Sequence, residues 1–202
     1  MSHNTWIHRG VRVFVRPIAN TAVTPNQLTF VRLLTGIGAA VTIGIGITPW
    51  EHIGAGIFVI SVILDRADGE LARMTGKTSR GGHVLDLSAD ALCNVLILVG
   101  LGVGLRESAY GGWAVPMGLI AGAAVATILW MTIRMEELEG RRAAERGNLA
   151  GFDPDDAILA IPVFVWLGFS AGLLMAATIC APLVALFFFL RFRRRLFTAA
   201  HS

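Results

Sequence analysis

Long apolar runs, broken by short charged stretches, set the pattern of this chain. A helix that crosses a bilayer needs about 20 mostly apolar residues. The first such run extends from Leu28 to Trp50 and is rich in Gly, Ala, Ile and Val. The second, from His52 to Leu64, reaches full length if its helix continues through Asp65, Asp68 and Arg73. The third runs from Val84 to Leu105 with Asp86 and Asp90 in its first turns, and the fourth from Trp113 to Ile133. The last run, Ala157 to Leu190, is too long for one crossing, and Gly168, Ser170 and Gly172 offer a turn in its middle. The pattern predicts an all-α fold, a polytopic membrane bundle of six transmembrane helices over residues 24–190. Ahead of it, Trp6, Ile7, Val11, Phe14 and Val15 alternate with Arg9, Arg12 and Arg16. Residues 5–19 therefore read as an amphipathic helix lying in the interface, with a plain basic flank as the alternative. Residues 191–202 form a basic tail, and the whole of 1–202 reads as one integral membrane domain.

Composition strengthens this picture. The chain is 54% hydrophobic and 15% charged, with mean hydropathy +0.65, whereas soluble domains are about 25% charged. The net charge is only +3, so the placement of the cations matters more than their sum. Basic residues cluster near the N-terminus, in 73–80, in 134–146 and in 191–195, while the opposite loops hold little beyond Glu51, Arg106 and Glu107. The positive-inside rule then puts both termini and the aspartates on the cytoplasmic side. There is no water-facing basic stripe of the kind nucleic acid requires, and no removable signal peptide is read. Cys93 and Cys180 lie inside apolar runs, which suits reduced core residues. Trp6, Trp50, Trp113 and Trp130 fall near span ends, as interfacial tryptophans do.

Four carboxylates stand out because ionised groups at membrane depth are costly and usually functional. Asp65 and Asp68 are three apart, Asp86 and Asp90 four apart, so each pair shares a helix face. If the pairs converge, a divalent cation relieves their repulsion, and an all-oxygen ligand set selects Mg²⁺ or Mn²⁺. Four carboxylates could neutralise two such ions, a pair suited to displacement at phosphorus. Gly69 and Ala72 leave room for a ligand near the backbone, and Arg73 supplies a fork of donors for phosphate oxygens. The plainer alternative has the aspartates capping helices or pairing with Arg66, Arg73 and Arg80. Capping accounts for one acid, such as Asp86, but not for four at this spacing.

The stretch from Asp65-Arg66-Ala67-Asp68-Gly69-Glu70-Leu71-Ala72-Arg73 to Gly82-His83-Val84-Leu85-Asp86-Leu87-Ser88-Ala89-Asp90 resembles the signature D-x2-D-G-x2-A-R-x8-G-x3-D-x3-D of the CDP-alcohol phosphotransferase family. Thr24-Pro25-Asn26 before the first span and the six-span layout extend the resemblance over most of the chain. It implies a transferase of phospholipid synthesis in which an alcohol attacks the β-phosphorus of a CDP-linked donor, expected to be CDP-diacylglycerol, and CMP leaves. It further implies that Asp65, Asp68 and Asp86 hold one metal ion, that Asp86 and Asp90 hold a second, and that Asp90 deprotonates the acceptor. Cytidine and diphosphate would lie near Gly69, Ala72, Arg73 and Ser79, with Thr24, Pro25, Asn26 and Gln27 closing over the nucleotide.

The acceptor is less legible. The family layout puts residues 134–156 beside its pocket, which makes Arg134, Arg141, Arg142, Asp153 and Asp155 candidates. Asp153, Asp155 and Asp156 would disfavour a phosphorylated acceptor, unless they only cap and polarise the start of the fifth span. The arginines could bind a phosphate or the anionic lipid surface. Two other functions stay open at this point: head-group transfer from a soluble CDP-alcohol to a diacylglycerol-like acceptor, and divalent-cation transport through the aspartates. The small residues of the fourth span leave room for a homodimer.

Overall fold

The computed structural model describes residues 15–139 and 158–198, and the described residues are helical with no strand. Among the described residues the main helices are, in order, α1 (Pro25–Gly44), α2 (Thr48–Thr75), α3 (Arg80–Gly104), α4 (Ala114–Glu139), α5 (Ala160–Trp166) and α6 (Ser170–Thr198). Four of them, α1, α3, α4 and α6, include segments long and apolar enough to cross a membrane. Helix α2 has the length, but its second half carries Asp65, Arg66, Asp68, Glu70 and Arg73. Helix α5 has seven residues. Of the six transmembrane helices expected, four are apolar spans among the described residues.

Local chemistry sets the helix ends. Thr24 and Gln27 form a capping box at the start of α1, with Pro25 in the first turn, where its missing N–H costs nothing. The chain leaves α1 at Gly44 and re-enters a helix at Thr48, so Trp50 belongs to α2 and not to the first span. This reversal needs Gly46: its φ is +78°, and a Cβ there would strike the Gly104 carbonyl. Arg106 Nη1 donates to the carbonyls of Gly44 and Val103, 3.1 and 2.9 Å away, closing the C-terminal ends of α1 and α3 together. The expected turn in the last apolar run falls at Leu167–Phe169, with Gly168 at φ +74°. Helix α6 then continues through Arg191–Arg195 into the basic segment at 191–202.

Packing is sequential, with one exception that governs the site. Helix α1 lies against both α2 and α3, while α2 and α3 scarcely touch each other. Helix α4 packs on α3, α6 on α4, and α5 on α2. The core joins Ala39 and Ile43 of α1 to Ala55 and Phe58 of α2, Ile97 and Leu101 of α3, Ala121 of α4, and Val165 and Leu174 of α5 and α6. Small residues permit close helix contact: a Cβ on Gly118 would lie 2.6 Å from the Leu98 carbonyl oxygen. Phe30, Leu34, Val41, Ile60, Leu119, Leu183 and Phe187 are exposed, an apolar surface suited to lipid and not to water. Cys93 is buried, but Cys180 is exposed among these residues and not in the core as expected. Met131 is buried, whereas Met175 is nearly half exposed.

Of residues 5–19, only 15–19 are described, so most of the amphipathic segment lies outside the described residues. Val15 is buried against Ala67 and Leu71 of α2, with Ile18, Ala19, Val23 and Leu28 packed around them. The segment ahead of α1 thus docks beside the aspartate end of α2. Gly118→Ala should destabilise the bundle by about 1–3 kcal/mol through overpacking at the α3–α4 contact. Gly56→Ala, where a Cβ meets nothing within 4 Å, should leave the melting temperature in detergent unchanged or higher, and an equal loss in both would refute the packing argument.

Candidate active site

Asp65 and Asp68 lie on α2 past its apolar half, and Asp86 and Asp90 lie near the start of α3. The two pairs meet at one end of the bundle. Ligand oxygens of Asp65, Asp68 and Asp86 all fall within 4.8 Å of one another. Three carboxylates from two helices converging in this way suit a hard divalent cation bound through oxygen. Asp90 lies outside that group of three and is joined to it through an arginine. Asp86 does not cap its helix: the cap is Ser79, whose Oγ accepts from the Gly82 N–H at 2.9 Å.

The sequence reading missed that arginine. Because α1 stands between α2 and α3, residues of α1 fill the space between the aspartate pairs. Arg32 Nη1 contacts Asp65 Oδ1 at 2.5 Å and Asp86 Oδ1 at 2.9 Å, and Nη2 contacts Asp90 Oδ1 at 2.6 Å. The Arg32 side chain is 3% exposed, against 30%, 39% and 23% for its three partners. Thr29, also on α1, donates from Oγ1 to Asp68 Oδ2 at 2.7 Å. Each of the four carboxylates thus has one oxygen held by α1. The partners considered from the sequence were Arg66, Arg73 and Arg80; Arg32 was not among them. The signal was present, since Arg32 is a lone cation within the first apolar run, the same solvation anomaly that exposed the aspartates.

A second layer holds the first. Asn94, one turn beyond Asp90, donates from Nδ2 to Asp90 Oδ1 at 3.2 Å. Ser61 Oγ donates to the Arg32 carbonyl at 3.0 Å, tying α2 to α1 directly behind the guanidinium. A cavity of about 20 Å³ lies beside this network, lined by Arg32, Ser61, Asp65, Arg66, Asp90 and Asn94 with Phe58 and Ile158. That is room for about one water-sized group.

The other predicted residues form a rim. Gly69 and Ala72 lie on α2 beside Asp68, and Arg73 donates from Nε and Nη2 to Glu70 Oε2 at 3.1 and 2.8 Å. Glu70 is buried while the Arg73 side chain is half exposed. Arg73 is therefore anchored by a residue that the sequence reading left aside. Asn26 Oδ1 reaches the start of α3: a Cβ on Gly82 would lie 3.0 Å from it and 3.0 Å from Ser79 Oγ. Thr24 and Gln27 bond to each other, the Thr24 N–H donating to Gln27 Oε1 at 2.9 Å, so their polar atoms serve the cap of α1. Asn26, Ser79 and Gly82 meet at the start of α3, the helix that carries Asp86 and Asp90. Arg134 is half-buried near the end of α4. Arg141, Arg142, Asp153 and Asp155 lie outside the described residues. His83 is exposed.

With this geometry in hand, comparison with known proteins is direct. The model of the family described as CDP-alcohol phosphatidyltransferase matches residues 22–148, more than half the chain and all four aspartates. The chain belongs to this family. As a family member it resembles an archaetidylinositol phosphate synthase of Pyrococcus horikoshii, 37% identical over 90 residues, 44% of this chain and 46% of the relative. It also resembles a phosphatidylinositol phosphate synthase of Corynebacterium glutamicum, 28% identical over 161 residues, 75% of this chain and 65% of the relative. A third relative is a CDP-diacylglycerol–glycerol-3-phosphate 3-phosphatidyltransferase of Cereibacter sphaeroides, 37% identical over 76 residues, 37% of this chain and 34% of the relative. The chain therefore spans less than two thirds of each of these relatives. Membership of this family and the apolar helices together mark a membrane protein.

The Thr29 hydroxyl supplies a buried hydrogen bond to an acid. Thr29→Val keeps the shape and should cost about 1–3 kcal/mol by leaving Asp68 without that donor. Denaturation in EDTA measures it, and an unchanged midpoint would show that Asp68 finds its partner elsewhere.

Proposed function

We propose that this protein is a CDP-alcohol phosphotransferase of phospholipid synthesis, transferring phosphatidyl from CDP-diacylglycerol to an alcohol and releasing CMP. The observation that carries the reading is the convergence of Asp65, Asp68 and Asp86 inside the region that matches the family. The names of three relatives each specify a phosphorylated product or acceptor, which favours a phosphorylated polyol as the acceptor here. Arg66 beside the small cavity and Arg134 on α4 are the described cations that support this preference. The acids expected from 153–156 would oppose it.

In this reading Asp65, Asp68 and Asp86 would hold one Mg²⁺ or Mn²⁺, and Asp86 and Asp90 would hold a second. When bound, the ions polarise the diphosphate and stabilise the charge on departing CMP. Asp90 accepts the proton of the acceptor hydroxyl. The oxygen so freed bonds to the β-phosphorus, and the bond from that phosphorus to the CMP oxygen breaks. The small cavity beside Asp90 suits a single hydroxyl oxygen at that point. Arg73, anchored on Glu70, offers its exposed donors to the phosphates, while Asn26, Ser79 and the glycines at 69 and 82 leave a shallow edge for the nucleotide. Six crossings, with α2 and the segment that ends in α5 added to the four apolar spans, and a cytoplasmic aspartate end complete the reading; the clustered arginines support that orientation.

Three measurements test it. Asp90→Asn should abolish CMP release, with a loss of about 10³-fold or more, while CDP-diacylglycerol still binds. Undiminished release would remove Asp90 from its role. EDTA should stop turnover, and Mg²⁺ or Mn²⁺ should restore it. Labelled CDP-diacylglycerol offered with inositol phosphate, glycerol 3-phosphate or free inositol, and read by product mass, identifies the acceptor. Release of CMP from a soluble CDP-alcohol with diacylglycerol would instead favour the reverse arrangement of donor and lipid.

A further inference from the structure

The Arg32 guanidinium is more deeply buried than the three aspartates it contacts. It takes Oδ1 of Asp65, of Asp86 and of Asp90, all within 2.9 Å, and is itself nearly closed off while the three acids are partly open. Its backbone is pinned by the Ser61 hydroxyl. Asp68, which Arg32 does not bond, has its own donor in Thr29. Four carboxylates against one guanidinium leave a formal charge of −3 at the metal-free site. Two dications would turn that into +1, facing a negatively charged diphosphate.

We infer that Arg32 is a positioning residue: a fixed internal cation that holds the metal-free aspartate cluster together, presets the outer oxygens, and competes with divalent ions for the same carboxylates. This rests on the metal-dependent reading above. A planar fork is needed, because a single guanidinium reaches three carboxylates on two helices; an ammonium is a point charge and cannot hold all three in one geometry. The competition has a defined sign. A fixed positive charge a few ångströms from a bound dication opposes it, so removing that charge should tighten metal binding even as it harms the empty site. A purely structural ion pair would weaken every property together.

The test uses the full-length protein in detergent, with Arg32→Met and Arg32→Lys. Free Mn²⁺, followed by its electron paramagnetic resonance signal, reports binding without turnover. Arg32→Met should bind Mn²⁺ about tenfold more tightly than the unaltered protein, the direction set by loss of a like charge. Its melting temperature should fall clearly in EDTA, and saturating Mn²⁺ should recover most of that loss. Arg32→Lys keeps the charge, so its Mn²⁺ affinity should stay near that of the unaltered protein, but kcat should drop about tenfold as Asp90 loses its fixed orientation. Equal destabilisation of Arg32→Met with and without Mn²⁺, or weakened Mn²⁺ binding, would overturn the inference. If Arg32→Met does not fold, Arg32→Lys decides: an unaltered kcat, or a marked change in Mn²⁺ affinity, would overturn it. Should the unaltered protein bind no Mn²⁺, the proposed function fails on its own, and the EDTA melting comparison still judges Arg32.

Discussion

Bringing four carboxylates together at the end of an apolar bundle is the constraint around which the rest of this structure is arranged. The acids repel one another, and partial burial removes the water that would otherwise screen them. Arg32 answers both difficulties from one position, reaching carboxylates on α2 and α3 from α1. For that to work, α1 must lie between the two helices that carry the acids. The close α1 contacts, the reversal at Gly46 and the cap at Arg106 all serve to hold it there.

The same arrangement explains why polar residues that are unremarkable in sequence become important. Thr29, Ser61 and Asn94 each spend a donor on the aspartate–arginine network. Metal ligands are commonly oriented by such outer partners. Here the outer partners come from all three helices, so the shape of the site depends on the packing of the whole first half of the chain. The docking of Val15 against Ala67 and Leu71 extends that dependence to the segment ahead of α1.

Much of the helical layout was legible from apolar runs because lipid permits little else. Continuation of the second helix through Asp65, Asp68 and Arg73, and the turn at Gly168, follow from periodicity and from a glycine in a long run. Boundaries were read less well. Trp50 joined the wrong helix, since an apolar turn around Gly46 looks like the continuation of a span. Charge density then kept α2 from counting as an apolar span although its length suffices.

The sequence by itself determined the helices, the membrane setting, the four aspartates and their spacing, because these depend on period and composition within a single element. Only the tertiary structure decided what stands between the aspartate pairs. Arg32 is more than thirty residues from Asp65 in the chain, and no local rule links a lone arginine in one span to acids in two others. Their meeting is a consequence of α1 packing between α2 and α3. Likewise, Glu70 and Arg73 are neighbours on any helix, but that Glu70 is buried and Arg73 left half open depends on what covers α2. Spacing can say which groups share a face; only packing says which faces meet.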